Sequence, residues 1–321
     1  MIKPLQIGNR TFATNLIAGP LAGTSCAAYR LLLWQHSNPA FVYSEMIAAN
    51  ALVNRHQLTA RLLHKDVAEG PVCFQLFGNE ADNLAEATTI ATDAGADLID
   101  LNCGCSVPKI RRSGSGAELL MDRKKLYQIL VAMRKNTSLP LIAKIRVALD
   151  ETTNREIIKA VTDAGIDALV VHGRNWRESY GTPCRYDAIA FFVANLKIPV
   201  IGNGDVTDLE SLKKMFATGC VGSMVAKALV GRPWLLEKLA AQFEGREFNT
   251  PSLEIMGEIF VKHVEHLIRL TGSERSAVLQ ARKLAKGYSL SLKNRRDFCS
   301  AINTLESFEE FHKLCKKHFG V

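Results

Sequence analysis

The 321-residue sequence has no apolar run approaching the ~20 residues of a membrane-spanning helix, so no membrane association is expected. Its start, Met1-Ile2-Lys3-Pro4, lacks the charged and apolar regions of a secretory leader, which makes a cytoplasmic location the default expectation. It also lacks the G-x-G-x-x-G signature that opens a doubly wound dinucleotide-binding sheet. Paired cysteines are almost missing. The eight Cys lie at 26, 73, 103, 105, 184, 220, 299 and 315, mostly in apolar surroundings, which does not describe a disulfide scaffold. Only Cys103-Gly104-Cys105 is closely spaced, and no second C-x-C, C-x-x-C or H-x-H pair accompanies it, so no metal is expected. There is no internal repeat beyond an alternation of apolar runs with helix-like segments, and no low-complexity tract. At 47% hydrophobic and 22% charged residues, a disordered chain is excluded as well.

Short apolar runs do recur, at 15–19, 41–44, 72–77, 98–102, 141–145, 168–172, 200–202 and 223–226. They are too continuous to leave one face in water, which is how strands buried on both sides by helices read. Helical patterns lie between them, as at 83–94, 124–135, 155–164 and 209–217. Gly95, Gly165 and Gly219 stand where left-handed caps would end three of these helices. Eight strand–helix units fit a (β/α)8 TIM barrel over residues 1–245. The polar stretch 245–251 reads as a linker, and the remainder as an all-α bundle over 252–321, with helices at 255–271, 276–290, 295–304 and 307–317.

The net charge of +8 is unevenly spread: residues 252–321 hold 12 Lys/Arg against 8 Asp/Glu, half of the excess in the last 70 residues. That bias suits either a polyanionic partner or an ordinary solvated helical face.

In a barrel of this kind, reactive groups sit where strands end. Those ends carry Pro20-Leu21-Ala22-Gly23, Glu45, Gln75, Asn102, Lys144 and Arg146, His172 and Arg174, Asn203-Gly204-Asp205, and Ala226-Lys227. So many polar groups converging on one mouth form the layout of a cofactor site. Lys144 in an apolar strand needs an anion, supplied either by the negatively charged edge of a cofactor or by an ion pair with Asp100 or another acid in the barrel. His172 is either a hydrogen-bonding core residue or a catalyst. Asn203-Gly204-Asp205 offers backbone amides in a tight turn suited to phosphate, or is simply a turn. Cys105 opens a loop rich in glycine and poor in bulky apolar groups, which reads as a mobile, exposed cover. Its thiol could exchange a proton over the mouth, or be an ordinary free Cys. Lys109, Arg111 and Arg112 in the same loop could hold nucleic-acid phosphates.

Assembled, these residues resemble the tRNA-dihydrouridine synthases, most closely their bacterial B-type branch. The resemblance runs through Pro20-Leu21-Ala22-Gly23, Ser44-Glu45-Met46, Val72-Cys73-Phe74-Gln75-Leu76-Phe77-Gly78, Asp100-Leu101-Asn102 with Gly104-Cys105, and Gly114-Ser115-Gly116-Ala117. It continues through Lys144-Ile145-Arg146, Val171-His172-Gly173-Arg174, Gly202-Asn203-Gly204-Asp205, Gly231-Arg232-Pro233-Trp234-Leu235, Ala281-Arg282-Lys283, Tyr288 and Ala301-Ile302-Asn303. It implies an FMN-binding barrel with a helical tRNA-binding domain, in which NADPH reduces the flavin, the flavin passes a hydride to C6 of a uracil, and a loop Cys protonates C5. By motif match that acid is Cys105.

The same resemblance implies that Gln75, Lys144 and His172 contact the isoalloxazine and ribityl chain, and that Pro20, Leu21 and Ala22 pack near the ring. It places the phosphate on Asn203, Gly204, Asp205, Ala226 and Lys227. Asn102 would hold the uracil edge, with Arg174 also on the substrate side. Arg282, Lys283, Lys286, Lys293, Arg295 and Arg296 would meet the tRNA backbone, and a monomer is expected.

The chain departs from the family pattern in places. Ser106 replaces a Pro and Cys103 a Met, and Gly19-Pro20-Leu21 replaces Ala-Pro-Met. Ala226-Lys227 replaces Gly-Arg, Trp176 an Arg, and Leu284 and Gly287 a His and a Trp. A flavin barrel acting on a small molecule is the alternative activity, but it has no need of a basic helical tail. A non-catalytic RNA-binding barrel would have no need of Cys105, Lys144 and His172.

Overall fold

The computed structural model describes residues 1–179 and 181–321. A short antiparallel hairpin, β1 (Leu5–Ile7) and β2 (Arg10–Phe12), precedes a closed parallel barrel. The barrel strands are β3 (Leu16–Ala18), β4 (Val42–Ala48), β5 (Val72–Phe77), β6 (Leu98–Cys103), β7 (Leu141–Arg146), β8 (Ala168–His172), β9 (Val200–Asn203) and β10 (Gly222–Val225). They follow one another around the ring in chain order, and β10 pairs with β3 to close it. Every apolar run of the sequence is one of these strands. The fold expected from the alternation, a TIM barrel followed by a helical region, is the fold observed.

The strands are buried on both faces because alternate residues serve two cores. Leu76, Leu101, Ala143, Ile145, Leu169 and Val171 point outward into the main core under the surrounding helices. Residues of the opposite parity point into the barrel, where Ile17, Phe41, Tyr43, Cys73, Leu98, Ile142, Val170, Ile201 and Met224 pack with Leu5, Ile7 and Phe12 of the hairpin. The hairpin, which the sequence pattern did not announce, thus stops the end of the barrel at which the strands begin. One step further along the same inward rows, the residues turn polar: Gln75, Asp100, Asn102, Lys144, Arg146, His172 and Asn203. This switch along a period of two is what puts a polar mouth on an apolar stem.

β4 breaks the register once. Tyr43 pairs with Cys73 and Met46 with Gln75, so the two intervening residues form a bulge. Glu45, expected at a strand end, lies in that bulge, and Met46 takes the inward position beside Gln75. The three glycine caps are left-handed as expected, with φ of 89° at Gly95, 71° at Gly165 and 85° at Gly219.

The tail holds the helices Leu253–Thr271, Glu274–Tyr288, Arg295–Ala301 and Phe308–Phe319. Ser252, Ser273 and Ser307 cap three of them, the last in a reciprocal box with Glu310. Their core is aromatic: Phe260 stacks on Tyr288 with centroids 4.1 Å apart and meets Phe311 edge-on at 5.0 Å. Ala28, Leu32 and Trp234 of the barrel belong to that same cluster. Where the two parts meet, Gly231 (φ 76°) faces Gly287. A Cβ on Gly287 would stand 2.4 Å from the Val230 carbonyl oxygen, so backbone meets backbone there. No helix among the described residues is long and apolar enough to cross a membrane.

Candidate active site

The polar ends of the inward rows surround a cavity of about 520 Å³ at the mouth of the barrel. It brings together Pro20, Leu21, Ala22, Gln75, Asn102, Cys105, Lys144, His172, Arg174, Asn203, Gly204, Asp205, Ala226 and Lys227. These are all the cofactor and catalytic residues singled out from the sequence, with two of the substrate residues.

The wall is cationic. Lys144, Arg146, Arg174, Lys227 and Arg232 all line it. Lys144 makes no ion pair within 4.0 Å among the described residues; burial and the neighbouring Arg146 lower its pKa to about 8, against the smaller opposing pull of Asp100 and Cys105. Asp100, the other partner that the strand pattern allowed, is engaged by Gln75 Nε2 at 2.6 Å. Burial, then Lys144, Arg146 and Arg174, push His172 down to about 2, so its imidazole is neutral at physiological pH. Arg174 is buried and forks onto both carboxylate oxygens of Asp205 at 2.6 Å, with its Nε donating to Thr182 O at 2.5 Å. Asp205 also accepts from the Cys184 N–H at 2.9 Å. Its carboxylate is therefore engaged within the wall, and its backbone stands at φ 54° in the turn. Gly204, at φ 131°, keeps the turn beside it free of side chain.

The Cys105 loop is tied down more firmly than its composition suggests. Asn102 Oδ1 accepts from the N–H groups of Gly104 at 3.1 Å and Cys105 at 2.9 Å. Arg146 Nε donates to Gly104 O at 2.8 Å, and Cys105 O accepts from Ala117 N at 3.0 Å. Gly116 is buried at φ 62°, where a Cβ would stand 2.8 Å from Cys105 O. The loop then forms a helical turn, Pro108–Arg112, from which Arg111 lies 3.4 Å over the Trp176 ring and pairs with Glu118 at 2.7 Å. Lys109 and Arg112 are exposed. The cover is thus anchored by partners on β6, β7 and the loop after β8, which a local reading of glycines could not reveal.

Cys105 lines the cavity, whereas Cys103, of outward parity, is buried under the helices and its thiol is pushed up by that burial. Asn102 is fully engaged: its Nδ2 donates to Gln75 Oε1 at 2.8 Å and to the weak acceptor Met46 Sδ at 3.0 Å. Met46, Met224, Thr207 and Arg232 also line the cavity without having been foreseen. The bulge explains Met46. Arg232 lies in the Gly231-Arg232-Pro233 segment, whose arginine shows no periodic signal.

The tail cations do not line this cavity. Lys283 approaches the loop after β3: a Cβ on Gly23, next to the lining residue Ala22, would lie 3.7 Å from its Nζ. Burial raises the pKa of Glu45, while the Gly23 N–H it accepts from, Lys283 and Arg30 pull it back. Lys286, Lys293 and Arg296 are exposed, and Arg295 is half-buried, with Nη2 on Lys286 O at 3.0 Å. Arg282 is half-buried, with Nη2 donating to Leu305 O at 2.8 Å, so it serves the bundle as well as its surface.

The family model described as dihydrouridine synthase matches residues 16–320. Among curated proteins, the tRNA-dihydrouridine synthase B of Pseudomonas putida is 31% identical over 95% of this chain and 91% of its own length. That of Xanthomonas campestris is 31% identical over 98% and 96%. A probable tRNA-dihydrouridine synthase of Rickettsia typhi is 30% identical over 94% and 93%. With the barrel, its polar mouth and the Cys105 loop in place, this match along nearly the whole length makes the chain a member of the dihydrouridine synthase family.

Proposed function

We propose that the chain reduces uridine to 5,6-dihydrouridine in tRNA, acting as a cytoplasmic monomer that uses FMN with NADPH as the reductant. The observation that carries this reading is the meeting on one cavity of Lys144, an ammonium with no ion pair among the described residues, and Cys105, whose backbone N–H is held by Asn102.

The residues present fit FMN. A cavity of about 520 Å³ is within the usual range for cofactor sites. Lys144 makes no ion pair among the described residues, and the pyrimidine edge of a flavin, or its reduced form, would supply the anion. Gln75 and the neutral His172 offer hydrogen bonds to the ring system and ribityl chain, and Pro20, Leu21 and Ala22 an apolar face. The backbone at Asn203, Gly204 and Asp205, with Ala226 and Lys227, suits the phosphate. When bound, FMN supplies hydride to C6 of the pyrimidine, having received it from NADPH.

The chain's own residues do the rest. Cys105 gives its thiol proton to C5 from the side of the loop. Asn102 keeps that loop at its height, and its N–H on Met46 Sδ is the one a uracil carbonyl could take over. Arg174, fixed by Asp205, keeps the wall by His172 positively charged. A uridine stacked in folded RNA must leave its stack to enter, at a cost of a few kcal/mol. Phosphate contacts from Lys283, Lys286, Lys293, Arg295 and Arg296, with Arg282 at their edge, offset that cost. Residues 252–321 are thus read as the tRNA-binding domain and residues 1–245 as the catalytic one.

The test is direct. The purified protein should be yellow or take up FMN, NADPH should bleach it, and unmodified tRNA should restore the colour while dihydrouridine appears. A protein that cannot be loaded with FMN, or RNA from cells lacking the gene with an unchanged dihydrouridine map, would refute the reading.

A further inference from the structure

One buried group has no part in the chemistry above. Asp100 lies inside the barrel below the mouth, fully enclosed. A hydrogen-bonded row leads from it to the Cys105 loop. Gln75 Nε2 donates to Asp100 Oδ2 at 2.6 Å, and Asn102 Nδ2 donates to Gln75 Oε1 at 2.8 Å. Asn102 Oδ1 then accepts from the backbone N–H groups of Gly104 and Cys105.

The direction of this row is not arbitrary. Backbone N–H groups can only donate, so Asn102 must turn its oxygen to the loop. Its amide nitrogen then faces Gln75, which must answer with oxygen. The Gln75 nitrogen is left pointing into the barrel and requires an acceptor there. Asp100 Oδ2 is that acceptor. Asp100 Oδ1 has no hydrogen-bond partner among the described residues. Burial raises the carboxyl's pKa well above the usual carboxylate range, opposed by the Gln75 hydrogen bond and by Lys144. A proton taken up sits on Oδ1, so Oδ2 accepts in either state. Without an acceptor below it, Gln75 would leave a buried donor unpaired and its amide free to turn, and the support under Asn102 would go with it.

We infer that Asp100 is a positioning residue: acting through Gln75 and Asn102, it sets the placement of the Cys105 backbone over the cavity. The consequence for uridine reduction rests on the proposed function; the placement itself does not. The row also joins Gln75 to the backbone of Cys105, so, on the proposed function, the residues of the cofactor and substrate sides share one anchor.

The test uses the full-length, FMN-loaded protein and two variants. Asp100→Asn keeps a carbonyl oxygen for Gln75, while Asp100→Leu removes it and keeps the branching, with larger terminal groups. Two readouts are compared with the wild type: flavin reoxidation by unmodified tRNA, and the rate at which N-ethylmaleimide alkylates Cys105, followed by peptide mass spectrometry. A displacement of about 1 Å in a catalytic group can cost about 10²-fold. In Asp100→Leu, kcat for reoxidation should therefore fall at least ~10-fold with little change in KM for tRNA. Reduction by NADPH should stay within about threefold, and Cys105 alkylation should change at least ~threefold. Asp100→Asn should stay close to the wild type in all of these.

Wild-type behaviour of Asp100→Leu in both readouts overturns the inference. So does an Asp100→Asn that loads with FMN yet behaves like Asp100→Leu. If Asp100→Leu does not fold, Asp100→Asn decides: retained alkylation and reoxidation rates support the inference, and their loss overturns it. Failure of the wild type itself to be reoxidised by tRNA would sink the functional reading, and the alkylation comparison, which needs no substrate, would still decide the placement.

Discussion

Replacing Lys144 by Met should stabilise the flavin-free protein and weaken its grip on FMN. The ammonium stands in the cavity wall without a carboxylate partner among the described residues, and its pKa falls from 10.5 to about 8. That fall is worth at most about 3 kcal/mol against the charged form, and water in the open cavity reduces it, so a gain of ~1–3 kcal/mol is expected at neutral pH. The pH dependence gives the sign. The native protein releases the Lys144 proton near 8, the unfolded chain only near 10.4. Between these values the unfolded state binds more protons, so wild-type stability rises with pH relative to the variant, and the gap between them closes. With FMN the order reverses: removal of a charge-assisted hydrogen bond worth ~1.5–3 kcal/mol should weaken binding ~10–100-fold. Thermal and urea unfolding of both proteins, with and without FMN, over that pH range would measure all three effects. A flavin-free Lys144→Met protein less stable than wild type at neutral pH would show that the ammonium has a partner, and would refute the reasoning.

Cys105→Ala should keep FMN and its reduction by NADPH but lose ~10²–10⁴-fold in dihydrouridine formation, the usual worth of a positioned acid, whereas Cys103→Ala should retain it; nucleoside mass spectrometry of treated tRNA separates the two. Reversing the charge of Lys283, Arg295 and Arg296 should weaken tRNA binding and flatten the plot of log affinity against log salt by roughly 0.7–0.9 for each phosphate that is no longer neutralised. Gly287→Ala should cost ~1–3 kcal/mol, because the new methyl group meets the Val230 carbonyl at 2.4 Å and the backbones must part; a melting temperature equal to wild type would show that the junction yields freely.

Much of this architecture was legible because it follows from period. Runs such as Val72–Phe77 and Leu141–Arg146 are apolar on both parities near their starts, and only a strand between two cores demands that. Gln75, Asn102, Lys144 and His172 stand out as polar residues at the ends of those runs, so the site could be drawn from them. What stayed hidden depends on partners far along the chain. The β4 bulge that brings in Met46 has no local mark, and neither has the hairpin of three-residue strands that stops the barrel. Asp205 reads as a phosphate-turn residue, yet its carboxylate closes on Arg174, 31 positions away. Arg282 reads as a surface cation, but it flanks the buried row of Ala281, Leu284, Ala285 and Tyr288 and is drawn down to Leu305. The Cys105 loop reads as loose because its anchors, Asn102 and Arg146, belong to strands rather than to the loop.

The aromatic cluster of the tail has a consequence of its own. Ala28, Leu32 and Trp234 share it, and the backbones at Gly231 and Gly287 approach closely, so the tail packs directly on the barrel. A folded RNA seated on such a frame would be offered to the opening at one span only. The nucleotide altered would then be chosen by its distance from the grip, as a calliper selects, with little need to read its neighbours letter by letter.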